Sequence, residues 1–169
     1  MPACVHEQTT EPDLPWYAIY VKSRHEKNVA STLASRGYES FLPTYLKSRK
    51  DSKKSDLPLF PNYVFCRLKA TERLPVITAP GVFSIVSSSG SPASIPESEI
   101  ESIRRMIDSG LDPEPWPYVK EGEQVCLKSG PLRGLEGVVV NESHHRWLVV
   151  SLNLLQRSVA VKMERQYIS

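Results

Sequence analysis

Four histidines (His6, His25, His144, His145) and three cysteines (Cys4, Cys66, Cys126) are the side chains best suited to metal binding or nucleophilic chemistry. Their spacing provides neither. No cysteine or carboxylate falls at the intervals that would complete a tetrahedral metal site around a histidine. His144-His145 lies between two strand-like runs and reads as a solvated turn. Cys66 lies on the core-facing side of an alternating strand, so it is a small hydrophobe rather than a nucleophile. Neither GxGxxG nor a phosphate loop is present. An enzyme is not expected, nor is a metal or a cofactor. The side chains that remain suit binding. Residues 16–54 carry a net charge of +6, whereas residues 92–124 carry −5, all within a chain whose net charge is only +2. One part can face a polyanion while another repels it.

The elements that must position these groups follow from periodicity. Trp16–Val21 is aromatic and β-branched, a buried strand. Ser23-Arg24-His25-Glu26 has the form of a capping box, with a helix expected to about Arg36 and Gly37 as its left-handed stop. Tyr38–Leu46 is a second strand interrupted by Pro43, and charged Lys47–Asp56 is expected to be a mobile hairpin tip. In Leu59–Leu68, Val64, Cys66 and Leu68 share one face while Tyr63, Phe65 and Arg67 share the other. Two apolar faces require either two covering layers or a partner. Val82–Val86 is a further strand, Ser87–Pro92 is a turn, and Glu97–Ser109 is a helix with Ile100, Ile103, Met106 and Ile107 on one stripe. The glutamates of 97–101 suit the dipole at its N-terminus. This order gives an α+β layer, an antiparallel sheet with helices.

Three prolines alternate between Leu111 and Tyr118, which predicts an extended, semi-rigid linker. Beyond it come short strands near 124–127, 137–140, 147–150 and 158–161, punctuated by Gly122, Gly130, Gly134 and Gly137. A segment this small hides its sheet edges best as a barrel. The expected organisation is a disordered tail over 1–15, a first domain over 16–110, a linker over 111–118 and a second domain over 119–169. At 169 residues, 40% of them apolar and 24% charged, the chain can bury such cores and is not wholesale disordered. No apolar run approaches the ~18–20 residues of a membrane span, and three odd cysteines make no disulfide framework, so a cytosolic protein is expected.

Val125 to Val140, with Gly130-Pro131, Gly134 and Gly137 shaping an arc between two strands, resembles the KOW motif of small SH3-like barrels. WYAIYVKSRHEKNVASTL, a basic loop, LFPNYVFCRL and TAPGVFSIV ahead of an acidic helix together are similar to the NGN domain of the NusG family. Phe60-Pro-Asn-Tyr63 looks like the specialised RfaH-type paralogues, where housekeeping NusG usually has Pro-Gly-Tyr. The order NGN, linker, KOW covers about 16–168.

The resemblance implies a transcription elongation and antitermination factor, not a catalyst. It would seat the β′ clamp helices of RNA polymerase in an aromatic hollow of Tyr20, Phe60, Tyr63 and Phe65. In the RfaH-type members, the start of the first helix meets the non-template DNA strand, which points here to Lys22, Arg24, His25 and Lys27. The basic tip Arg49–Lys54 is a further nucleic-acid or polymerase contact. The threonine-rich stretch that meets the β gate loop is absent, with Glu72-Arg73-Leu74-Pro75 near its place, and Pro80 replaces an arginine that helps RfaH read its DNA element. Leu155 stands close to the barrel phenylalanine through which housekeeping NusG meets Rho and the NusE-type ribosomal protein. Two alternatives stand beside this reading: a housekeeping NusG acting in Rho-dependent termination, and a KOW-type RNA- or ribosome-binding module. Valines 138–140 and 149–150 favour strands over the helical hairpin that the second domain of RfaH can adopt.

Overall fold

The computed structural model describes residues 14–48 and 54–164. The tail over 1–13 and most of the basic tip, 49–53, lie outside the described residues.

The first half is built on β1 (Trp16–Val21), α1 (Glu26–Ser35), β2 (Ser40–Phe41), the hairpin β3 (Thr44–Ser48) and β4 (Lys54–Pro58), and β5 (Tyr63–Arg67). A 3-10 turn at Ala70–Glu72 and the short helix α2 (Leu74–Ile77) lead to β6 (Val82–Ile85). The small pair β7 (Ser87–Ser88) and β8 (Ser91–Pro92), then β9 (Ser94–Ile95) and α3 (Glu97–Asp108), complete it. The main sheet is antiparallel in the order β2-β5-β1-β6, with β9 also pairing β1.

Both faces of this sheet are covered, which accounts for the two apolar faces of β5. Val29 and Leu33 of α1 join Tyr17, Ile19, Val21, Val64 and Cys66 in one core cluster. Ile100, Ile103 and Met106 of α3 join Trp16, Ala18, Phe60 and Phe65 in the other. Burial pushes the Cys66 thiol up to about 12, with the Glu39 carboxylate adding to the shift, so it has no thiolate character near neutrality. Gly37, at φ 88, stops α1: its N–H donates to the Ala34 carbonyl while the Tyr38 N–H donates to that of Leu33.

The capping box does not form. The helix starts at Glu26, so its N-cap position is His25 and not Ser23. It carries no side-chain cap, the His25 Nδ1 lying against the Ser23 carbonyl; the Glu26 carboxylate is engaged elsewhere. Its Oε1 accepts the backbone N–H of Asn62 at 3.0 Å, across 36 residues of sequence. A long-range turn with a part-buried amide outcompetes the local serine partner.

The second half is a five-stranded antiparallel sheet in the order β10-β14-β13-β12-β11, from β10 (Glu114–Trp116), β11 (Glu123–Cys126), β12 (Glu136–Glu142), β13 (His145–Leu152) and β14 (Arg157–Met163). Residues 148–163 are thus strands and a turn. Part of the proline-rich stretch is an edge strand: Pro115 faces Val159 of β14. Proline is tolerated there because an edge strand can spare an N–H. The arc from Leu127 to Leu135 closes on itself, Leu127 donating to the Leu135 carbonyl and Gly134 to that of Leu127, with Gly130 and Gly134 both at positive φ. A β-carbon on Gly137 would stand 2.8 Å from the Val149 carbonyl oxygen, so β12 and β13 approach closely only because that residue is glycine.

The two halves share one apolar cluster. Leu127, Leu132, Leu148, Val150, Val159 and Val161 of the second half belong to the same buried set as Trp16, Phe65 and the α3 residues. Among the described residues, no helix is long and apolar enough to cross a membrane.

Candidate functional site: an exposed aromatic face beside a basic edge

Tyr20 and Tyr63 face each other across the β1–β5 ladder, ring centroids 5.7 Å apart. They lie on the α3 side of the sheet but beyond the reach of that helix: Tyr20 is 40% exposed and Tyr63 is half-buried. A third ring joins them. The β1–β6 register shifts between Tyr20 and Val21, where Val82, Phe83 and Ser84 oppose only those two residues. Phe83 is the extra residue of this bulge, and a bulge re-aims its side chain. It stands 63% exposed, its ring 5.5 Å from that of Tyr20. Sequence reasoning missed Phe83. The available signal was that Val82 and Ile85, half-buried and buried respectively, are three residues apart rather than two.

The turn that presents Tyr63 is held from both sides. Asn62 takes a left-handed φ of 73, which asparagine tolerates better than most residues. Its carbonyl accepts from Val21 N–H at 2.8 Å, its amide Nδ2 donates to the Val21 carbonyl at 3.3 Å, and its own N–H reaches Glu26. Phe-Pro-Asn-Tyr is therefore a device for fixing Tyr63 against β1.

Not all the expected hollow is open. Phe60 and Phe65 are 1% and 0% exposed, packed edge-to-face with centroids 5.6 Å apart. They support the face from beneath and do not line it, because α3 and its cluster cover that end of the sheet. Leu155 is 8% exposed and lies in the shared cluster rather than on an open surface.

The basic residues gather at the adjoining end of β1. Lys22 and Arg24 are exposed, on a turn closed by His25 N–H to the Lys22 carbonyl at 3.0 Å. Arg24 sits at φ 65, and the Lys22 N–H donates to the Gly81 carbonyl, docking this turn on the entry to β6. Gly81 is at φ +91, and a β-carbon there would press on His25 and Val29 at 3.2 Å. His25 is half-buried, its Nδ1 2.9 Å from the Ser23 carbonyl oxygen. Lys27 is drawn away to β4, donating to the Asp56 carbonyl at 3.3 Å and pairing with its carboxylate at 3.5 Å. Among the described residues, Lys22 and Arg24 have no ion-pair partner, so two long cations project next to the aromatic face. No three His, Cys, Asp or Glu side chains among the described residues gather into a metal-binding group.

The family described as transcription termination factor nusG matches residues 14–104, a span that contains the whole aromatic face and the basic edge. The chain belongs to the NusG family. A NusG relative from Pseudomonas aeruginosa, named transcription termination/antitermination protein, is 30% identical over 166 residues, spanning 88% of this chain and 94% of its own. One of the same name from Staphylococcus carnosus is 29% identical over 171 residues, spanning 88% and 91%. The solved structure described as domain interaction in Thermotoga maritima NusG superposes with a TM-score of 0.55 at 23% identity, over 92% of this chain and 96% of that one. That likeness is one of fold. The mixed α/β architecture with mostly antiparallel sheet is that of a NusG protein.

Proposed function

We propose that this NusG-family chain is a transcription elongation and antitermination factor of the specialised, RfaH-like sort, working in the bacterial cytoplasm without a cofactor. Its first half is read as the NGN domain and its second sheet as a KOW barrel, with 111–118 as the connection. The observation that carries the reading is the continuous aromatic face of exposed Tyr20 and Phe83 with half-buried Tyr63. Clustered aromatics at the centre of a patch commonly dominate its binding energy. This face would receive the β′ clamp helices of RNA polymerase, with Phe60 and Phe65 as its floor.

Lys22 and Arg24 would hold phosphates of the non-template DNA strand, with His25 offering a ring beside them. Lys27 would have to leave Asp56 to take part. Holding the clamp shut disfavours a paused conformer; a difference in affinity of about 1.4 kcal/mol between the two conformers changes their ratio tenfold. Leu155 would meet Rho or the NusE-type ribosomal protein once freed from the shared cluster. The relatives' names join termination to antitermination, so a housekeeping role in Rho-dependent termination is the second reading.

Binding to cognate core RNA polymerase tests the proposal. Tyr63→Ala and Phe83→Ala should each weaken binding by about 2 kcal/mol or more, the hot-spot range, while circular dichroism stays close to wild type in both and thermal unfolding does so in the exposed Phe83→Ala. Unchanged affinity in the double variant would remove the aromatic face from the account.

A further inference from the structure

Phe83 is the one ring of the aromatic face that stands mostly in solvent, at 63% exposure. It lies on β6, which ends the strand order of the first sheet. Tyr20 supports it from the sheet side, the two ring planes inclined at 31°. The opposite side of the ring is an uncovered π surface.

Cations stand beside this ring and carboxylates do not. The turn carrying Lys22 and Arg24 is docked on the Gly81 carbonyl, two residues ahead of Phe83 in the chain. Residues 78–96 hold no charged side chain. Glu26, which opens α1 behind the turn, is 6% exposed and already accepts the Asn62 N–H. A polyanion approaching Phe83 therefore meets two long cations and, from these elements, no exposed carboxylate.

Cations for the phosphates and a ring for the base are the two parts of a single-strand site. A base within a duplex keeps both faces in the stack, so only an unpaired base can match the ring. We propose that Phe83 is a base-stacking residue: an unpaired nucleobase of single-stranded DNA stacks on the open side of its ring while Lys22 and Arg24 hold the flanking phosphates. The inference rests on the proposed function, which supplies the DNA strand and gives Phe83 no part in holding it. Stacking of this kind accepts any base, so Phe83 adds affinity for unpaired DNA without choosing its sequence. The ring serves the clamp helices through its apolar bulk and the base through its π face. Leucine separates the two, because it keeps most of the bulk and lacks the face.

The test is fluorescence anisotropy of the full chain with a fluorescein-labelled single-stranded DNA of mixed sequence. Phe83→Leu should weaken binding about fivefold or more, the lower end of the range for base–aromatic stacking, and Phe83→Trp should keep it. On the duplex, and on a strand whose bases are replaced by abasic sites, Phe83→Leu should change nothing. Neither variant should alter the dependence on salt, whereas Lys22→Ala and Arg24→Ala should each lower its slope by about 0.7, one phosphate on a single strand. No binding by wild type at low salt, unchanged affinity in Phe83→Leu, or an equal loss on the abasic strand would each overturn the stacking role. Binding to core RNA polymerase separates this from the proposed function, and Phe83→Leu should stay close to wild type there. A Phe83→Leu protein that loses polymerase but keeps single-stranded DNA would overturn the stacking role and leave the aromatic face standing.

Discussion

Replacing Glu26 by alanine removes the acceptor for the Asn62 N–H and leaves that amide unpaired in a part-buried turn. Such a loss costs about 1–3 kcal/mol. The Glu26→Ala protein should therefore unfold at a lower denaturant concentration. Glu26→Gln, which retains an amide oxygen at the same position, should lose much less. Equal stability of the alanine variant and wild type would show that the turn is held without Glu26. The same residue shows where sequence reasoning reaches its limit. Ser23 and Glu26 have the spacing of a cap, and only the fold brings Asn62 close enough to claim the carboxylate. Phe83 was hidden for a related reason: a bulge arises from the register between β1 and β6, which neither strand encodes alone.

At the scale of elements, α3 is fastened to the first sheet at its start. Arg67 of β5 donates two hydrogen bonds to the Glu97 carboxylate at the start of α3, lies 3.0 Å from a Glu39 oxygen, and stacks its guanidinium 4.6 Å from the Trp16 ring centre. Hydrogen bonding from Arg67 holds the Glu97 carboxyl below its usual range. Glu97 therefore adds stability above the ordinary carboxyl range, and this contribution is lost as pH falls through the lowered value. Glu97→Gln should show a smaller drop in melting temperature than wild type on acidification below about pH 4.5, the ordinary carboxyl region. Parallel melting curves for the two proteins would contradict this fastening. The pair is largely solvent-exposed on the Glu97 side, so a small effect is expected. The main strands and the helices α1 and α3 were legible in the chain. β4 and the end of β3, however, fall in the charged stretch 47–56 expected to be a hairpin tip, where Lys47 pairs with Ser55 and Leu46 with Asp56, and α2 was not foreseen. Alternation in β5 marked two apolar faces without telling a covering layer from a partner, and the stripe on 97–109 announced α3. β10 was not legible, because Pro115 and the prolines on either side of it argue against a strand everywhere except at a sheet edge, which is where it pairs with β14.

Across the whole molecule, the sequence divides into two sheets, but it does not disclose that they share a core. That union includes α3, whose apolar stripe of Ile100, Ile103 and Met106 lies in the one buried cluster that draws on both sheets. Much of the expected hollow, Phe60 and Phe65, and the expected partner residue Leu155 lie in the shared cluster. Hydrophobic side chains in a strand or turn do not themselves reveal which layer covers them. What stays open is an aromatic and basic surface confined to the first half, within the stretch that matches the NusG family. The acidic α3 and its approach lie on the other side of the charge division, so the chain can meet nucleic acid at one end without being a general polyanion binder.

The most direct measurement is single-round transcription by the cognate RNA polymerase through a pause site and a Rho-dependent terminator. The wild-type chain should shorten the pause and increase read-through, and the Tyr63→Ala, Phe83→Ala double variant should do neither. Pausing and termination unchanged at saturating protein, or earlier release by Rho, would contradict the antitermination account.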